Sequence, residues 1–85
     1  MTIEAYQMTE GQFKDLDRRF TYHKPFGTQP DRYHALREMA KALAVMITNN
    51  TPISREQSLA LTHLEETIFW ANASIARNEV EANDG

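Results

Sequence analysis

The segment Asn49–Gln57, NNTPISREQ, separates the two longest periodic stretches of the chain. Asn49 and Asn50 suit a helix end, because asparagine tolerates the backbone geometry found just past a last turn. Pro52 has no N–H to continue the helical ladder. Ser54 followed three residues later by Gln57 is the pattern of a capping box. A helix that stops and another that starts within so few residues fold back on each other. The segment therefore predicts an antiparallel helical hairpin.

The flanking patterns agree. From Pro30 to about Asn49, Leu36, Met39, Leu43 and Met46 step by 3, 4, 3, with Ala40 and Ile47 widening the stripe. From Arg55 to roughly Arg77, Leu61, Leu64, Ile68, Ala71 and Ile75 form a heptad-like seam. Each helix would be about 30 Å long. Upstream, Gln12–Arg19 suits a short helix carrying Phe13 and Leu16 at i, i+3, although Gly11 weakens its start. The expected fold is all-α, a short N-terminal helix plus a long antiparallel hairpin. Residues 1–19 make an N-terminal extension, 20–78 the hairpin domain and 79–85 a disordered acidic tail.

Eighty-five residues without a cysteine have no disulfide framework and no thiolate metal site. A chain this small buries only about 60% of its unfolded surface, so oligomerisation is the remaining support for a core. Leu59, Phe69, Trp70 and Ala73 fall outside the seam of the last helix. They are expected to pack on another copy and on the N-terminal helix, with Asn72 either fixing the register of that contact or touching a ligand. The net charge of −3, from 9 basic and 12 acidic residues, disfavours a duplex-binding protein. The N-terminus lacks the pattern of a signal peptide, and the longest apolar run, Ala42–Ile47, is too short to span a bilayer. A cytosolic protein with no membrane partner is expected.

Phe20–Arg37, FTYHKPFGTQPDRYHALR, runs against that acidic background. It holds Lys24, Arg32 and Arg37 against the single acid Asp31, together with Phe20, Tyr22, Phe26 and Tyr33. Pro25 and Pro30 favour an extended loop, and Gly27 permits a left-handed turn. Aromatic faces and cations beside a helix N-terminus suit a small molecule bearing bases and phosphates. Tyr22, His23 and Lys24 are loop candidates for such a site. Arg32, Tyr33 and Arg37 are the helix candidates, with Tyr33 and Arg37 sharing a face at i, i+4. The plainer reading also stands: the aromatics tuck the loop down, the arginines pair with acids, and Thr62, His63 and Glu66 form a solvated face. For catalysis the chain offers no nucleophile motif, no metal-ligand spacing among His23, His34 and His63, and no facing carboxylate pair. No cofactor and no enzyme activity is expected.

The string FTYHKPFGTQPDRYHALREMAKALA, followed by PISREQSLALTHLEETIFWANASIARN, resembles a family of small phage proteins. The shared pattern reads F-x-Y-x-x-P-x-x-x-Q-x-x-R-Y-x-x-[IL]-R, then P-x-S-R-E-x-[SA]-L-A-x-T-x-L-E-E-x-x-x-W-A-N-A-x-I-A-R. It is similar to the helical hairpin shared by anti-CBASS and anti-Thoeris cyclic-nucleotide sponges, over about Phe20–Asn78. The resemblance implies an immune antagonist that assembles into dimers or hexamers, with ligand pockets at subunit boundaries. It binds cyclic di- or trinucleotides or cyclic ADP-ribose isomers in the host bacterial cytoplasm, without cleaving them. On this chain it implies Tyr22 as a base-stacking residue, Arg37 as a phosphate contact and Arg32 as its reinforcement. Thr62 and Arg77 fall within the second motif and face either ligand or partner. Two rivals remain: a helical protein–protein adaptor acting through Leu59, Phe69 and Trp70, and, more weakly, a nucleic-acid-binding regulator.

Overall fold

The computed structural model describes residues 6–81; residues 82–85, most of the expected acidic tail, lie outside the described residues. The chain forms α1 (Glu10–Phe20), α2 (Gln29–Asn50) and α3 (Arg55–Asn78), with no strand among the described residues. It is all-α, and α2 and α3 form the hairpin.

Helix α1 begins earlier than its apolar spacing indicates. Thr9 Oγ1 accepts from the Gln12 N–H at 3.0 Å, and Gln12 Oε1 accepts from the Thr9 N–H at 2.9 Å. This reciprocal capping box, spelled T-E-G-Q, offsets the cost of Gly11 in the first turn. At the other end Asp15 accepts from Arg18 at 2.8 Å and Arg19 at 3.3 Å, which holds its carboxyl below the usual range.

The loop to α2 turns at Gly27, whose φ of +57° is the left-handed geometry a side chain would strain. Along the seam, Leu61, Leu64, Ile68, Ala71 and Ile75 of α3 are partly buried, as their spacing indicates. On α2, Leu36, Ala40, Ala44 and Ile47 are partly buried, as are Arg32 and Tyr33 near its start, while Met39 is 74% and Met46 60% exposed. The stripe through the methionines is therefore corrected. Alanines on α2 accept the larger leucines and isoleucines of α3, and the methionines are turned outward.

Gln57 alters the capping box at the hairpin turn. Ser54 Oγ accepts from the Gln57 N–H at 3.1 Å. The Gln57 amide, however, reaches across to the end of α2, donating to the Thr51 carbonyl at 3.1 Å and Thr51 Oγ1 at 3.0 Å. It satisfies acceptors that a helix C-terminus leaves free.

The open end is closed by a polar clasp. Gln29, 2% exposed, is the single buried side chain among the described residues. Its Oε1 accepts from the Phe26 N–H, and its Nε2 donates to Glu79 at 3.0 Å. Arg32 forks onto both Glu79 oxygens at 2.6 Å and donates from Nε to Thr28 Oγ1. Glu79 is thus held, although the sequence assigns it to the fraying tail. The Arg32 guanidinium, then the Gln29 amide, lower the Glu79 carboxyl from 4.5 to about 2. A depressed carboxyl stabilises the fold above its unfolded pKa, and that contribution disappears as pH falls through the folded one. Thermal melting should therefore lose stability between about pH 4.5 and pH 2, and Glu79→Gln should flatten that part of the curve. Parallel curves for the two proteins would remove the clasp from the stability of the fold.

No apolar side chain is buried among the described residues. The radius of gyration is 18.6 Å, against about 12 Å for a compact chain of this length. Principal extents of 51 × 48 × 16 Å describe a plate one helix layer thick. The expectation that α1 covers spare apolar surface within the chain is corrected. Phe13, Leu16 and Phe20 stay exposed, and α1 touches the hairpin mainly by the Arg18–Asn78 hydrogen bond at 3.2 Å.

Candidate ligand site

On one face of the hairpin, near its open end, Arg19 of α1, the loop, α2 and α3 border an open concavity of about 500 Å³. Tyr22 and His23 enter from the loop, Tyr33 and Arg37 from α2, and Asn72 and Arg77 from α3. Ala73 and Ala76 lie along the α3 side, and their small side chains leave the space open. His23 is positioned by its ring: Nε2 donates to the Arg18 carbonyl at 2.6 Å, which fastens the loop to the end of α1. Arg37 and Arg77 have no carboxylate partner among the described residues. Two unpaired guanidiniums beside two phenol rings can grip phosphates and stack on bases.

A longer apolar groove of about 670 Å³ continues along the same face. Ala40 and Ala44 line it from α2, and Leu61, Ile68 and Phe69 from α3. Arg37 and Asn72 border both depressions. The Oδ1 of Asn72 is buried there without a hydrogen-bond partner. Leaving such an acceptor unpaired costs about 1–3 kcal/mol.

The family model for the Acb2/Tad1 hairpin domain matches residues 14–76, from the middle of α1 almost to the end of α3. The chain belongs to the Acb2/Tad1 hairpin family. These are the phage anti-CBASS and anti-Thoeris cyclic-nucleotide sponges. Comparison with curated proteins and with solved structures gave no significant match.

In this Acb2/Tad1 hairpin, Tyr22, His23, Tyr33 and Arg37 come together, and Arg77 joins them from α3. Lys24 stays exposed on the loop and does not line the concavity. Arg32, although only five residues from Arg37, points to Glu79 and is occupied by it. Thr62 lines the neighbouring groove beside Arg37 and does not reach the tyrosines. Phe69, Trp70 and Ala73 border an adjoining cleft of about 340 Å³ on the outer edge of α3, with Glu66 and Arg77; it shares Ala73 and Arg77 with the concavity and Phe69 with the groove. Leu59 is exposed two turns before Glu66, on that same edge. Asn72 faces the concavity and the groove rather than this edge. No helix among the described residues is long and apolar enough to cross a membrane.

Proposed function

We propose that the protein sequesters a cyclic nucleotide immune messenger, a cyclic di- or trinucleotide or a cyclic ADP-ribose isomer, and leaves it uncleaved. It does so in the host cytoplasm as a homo-oligomer, a dimer or hexamer. The observation that supports this most directly is the meeting of Tyr22, Tyr33, Arg37 and Arg77 at one concavity. Tyr22, 81% exposed, presents a free ring face to a base. Arg37 and Arg77 come from antiparallel helices and approach a phosphate from two sides. Aromatic stacking contributes roughly 1–3 kcal/mol per base, and charge-assisted hydrogen bonds about 1.5–3 kcal/mol each. Contacts of this kind from two copies approach the roughly 12 kcal/mol of nanomolar binding. His23 and Lys24 border the entrance. Arg32 acts on the ligand through the clasp that sets the start of α2, and Thr62 extends the reach of a larger ligand into the groove.

Calorimetry against cyclic dinucleotides, cyclic trinucleotides and cyclic ADP-ribose isomers tests the reading. At least one class should bind, and Tyr22→Ala should weaken it by roughly 5- to 100-fold, the equivalent of one lost stack. Heating the complex should release the ligand unchanged. Silence across the panel would overturn the proposal, and a cleaved product would replace stoichiometric binding with turnover. The exposed Phe69 and Trp70 favour one alternative, a helical adaptor that docks a foreign protein. In that case partner binding would vanish with Trp70→Ala and ignore Tyr22→Ala.

A further inference from the structure

We infer that the apolar groove is a base site that selects guanine, with Glu65 as the residue that reads it. The inference rests on the nucleotide reading and narrows the ligand to a ring with at least two bases, one of them guanine. The groove meets the tyrosine-lined concavity at Arg37 and Asn72, and at about 670 Å³ it has room for a purine. A ring that stacks one base on Tyr22 or Tyr33 carries a second one into it.

The charged groups of the groove are sorted by helix. Arg37 and Lys41, at i, i+4 on α2, set two cations along one rim, about 6 Å apart along the axis. Glu65 stands on the α3 rim, with Phe69 one turn further on. Lys41 and Glu65 are both exposed, and neither has an ion-pair partner among the described residues. The neighbouring Glu66, by contrast, lies 3.7 Å from His63. Between the two rims the lining is apolar, with Ala40, Leu64 and Ile68.

This sorting fits a nucleotide laid across the groove. Its phosphates meet the cations of α2, its base lies on the apolar floor beside the Phe69 ring, and the outer edge of the base reaches Glu65. An ionised carboxylate only accepts hydrogen bonds. Guanine offers it two parallel donors, the ring N–H and the exocyclic amine, much as an arginine fork does. Adenine and cytosine each set one amino donor beside a ring nitrogen lone pair, so the carboxylate gains one bond and is repelled at the other. Uracil has one N–H between two carbonyls. Cyclic ADP-ribose isomers carry a single base and would fill only the concavity.

Calorimetry on the full chain and on Glu65→Gln tests this with ring pairs that differ only in the base. Cyclic di-GMP is compared with cyclic di-AMP, and cyclic tri-GMP with cyclic tri-AMP, at the same linkage. The parent should bind a guanine ring at least about 10-fold more tightly than its adenine partner, the effect of one charge-assisted hydrogen bond. Glu65→Gln keeps the shape and removes the charge, so it should weaken the guanine ring alone and bring each pair within about 3-fold. Equal affinities in the parent, or a guanine preference that survives Glu65→Gln, would overturn the inference and leave the nucleotide reading standing. Binding confined to cyclic ADP-ribose isomers would do the same. Silence from every cyclic nucleotide would overturn both.

Discussion

Arg37→Ala should lower the affinity for the preferred cyclic nucleotide by roughly 10- to 100-fold while leaving the mass in solution unchanged. The magnitude follows from a charge-assisted hydrogen bond of about 1.5–3 kcal/mol, at 1.4 kcal/mol per tenfold. Arg37 is exposed and has no acidic partner among the described residues, so its loss leaves no carboxylate stranded and should cost little stability. Arg32→Ala is the contrast. It strands Glu79 and Gln29, so it should lower the melting temperature, and any loss of affinity should track that change. Calorimetry and a melting curve on the two variants separate the roles. A broken assembly with Arg37→Ala would make Arg37 an interface residue instead.

Trp70→Ala should raise the dissociation constant of the oligomer by on the order of 30- to 1,000-fold. That is what loss of an aromatic interface anchor worth about 2–4 kcal/mol produces. Trp70 is 67% exposed on the edge of α3 facing away from the hairpin seam, and Ala73 beside it leaves space for a facing side chain. Sedimentation over a range of concentrations reads the effect as a mass that falls at dilutions where the parent stays assembled. An unchanged mass would free this edge for a foreign partner and turn the argument toward an adaptor.

The hairpin was legible because its signals are local. The stop at Asn50, the start at Ser54 and each step of the seam from Leu61 to Ile75 are set by neighbours about one turn apart along the chain. The α2 stripe was less so. Steps of 3, 4, 3 through the methionines and of 4, 4, 3 through Leu36, Ala40, Ala44 and Ile47 are both helical, and only the bulk arriving from α3 selects between them. The T-E-G-Q cap of α1 was readable but masked by Gly11. The clasp was not readable, since Gln29 and Glu79 stand 50 residues apart and meet through one hydrogen bond. At the candidate site, the i, i+4 spacing gave Tyr33 and Arg37 a common face, and the loop composition drew in Tyr22 and His23. Arg77 arrives from the far helix, and its motif alone does not say which way it points. Arg32 and Arg37 look alike as neighbouring cations in a string, and the acid that distinguishes them lies at the other end of the chain.

A plate 16 Å thick has no inside. Anything it holds rests on a floor with no roof, and a ligand on an open floor exchanges with water as fast as its weakest contact lets go. Slow release then has to come from a second body laid over the first. Retention would belong to the assembly, and protein concentration would set it as much as any residue does. Diluting the complex below the point where copies part should empty it faster than adding a competitor at high concentration.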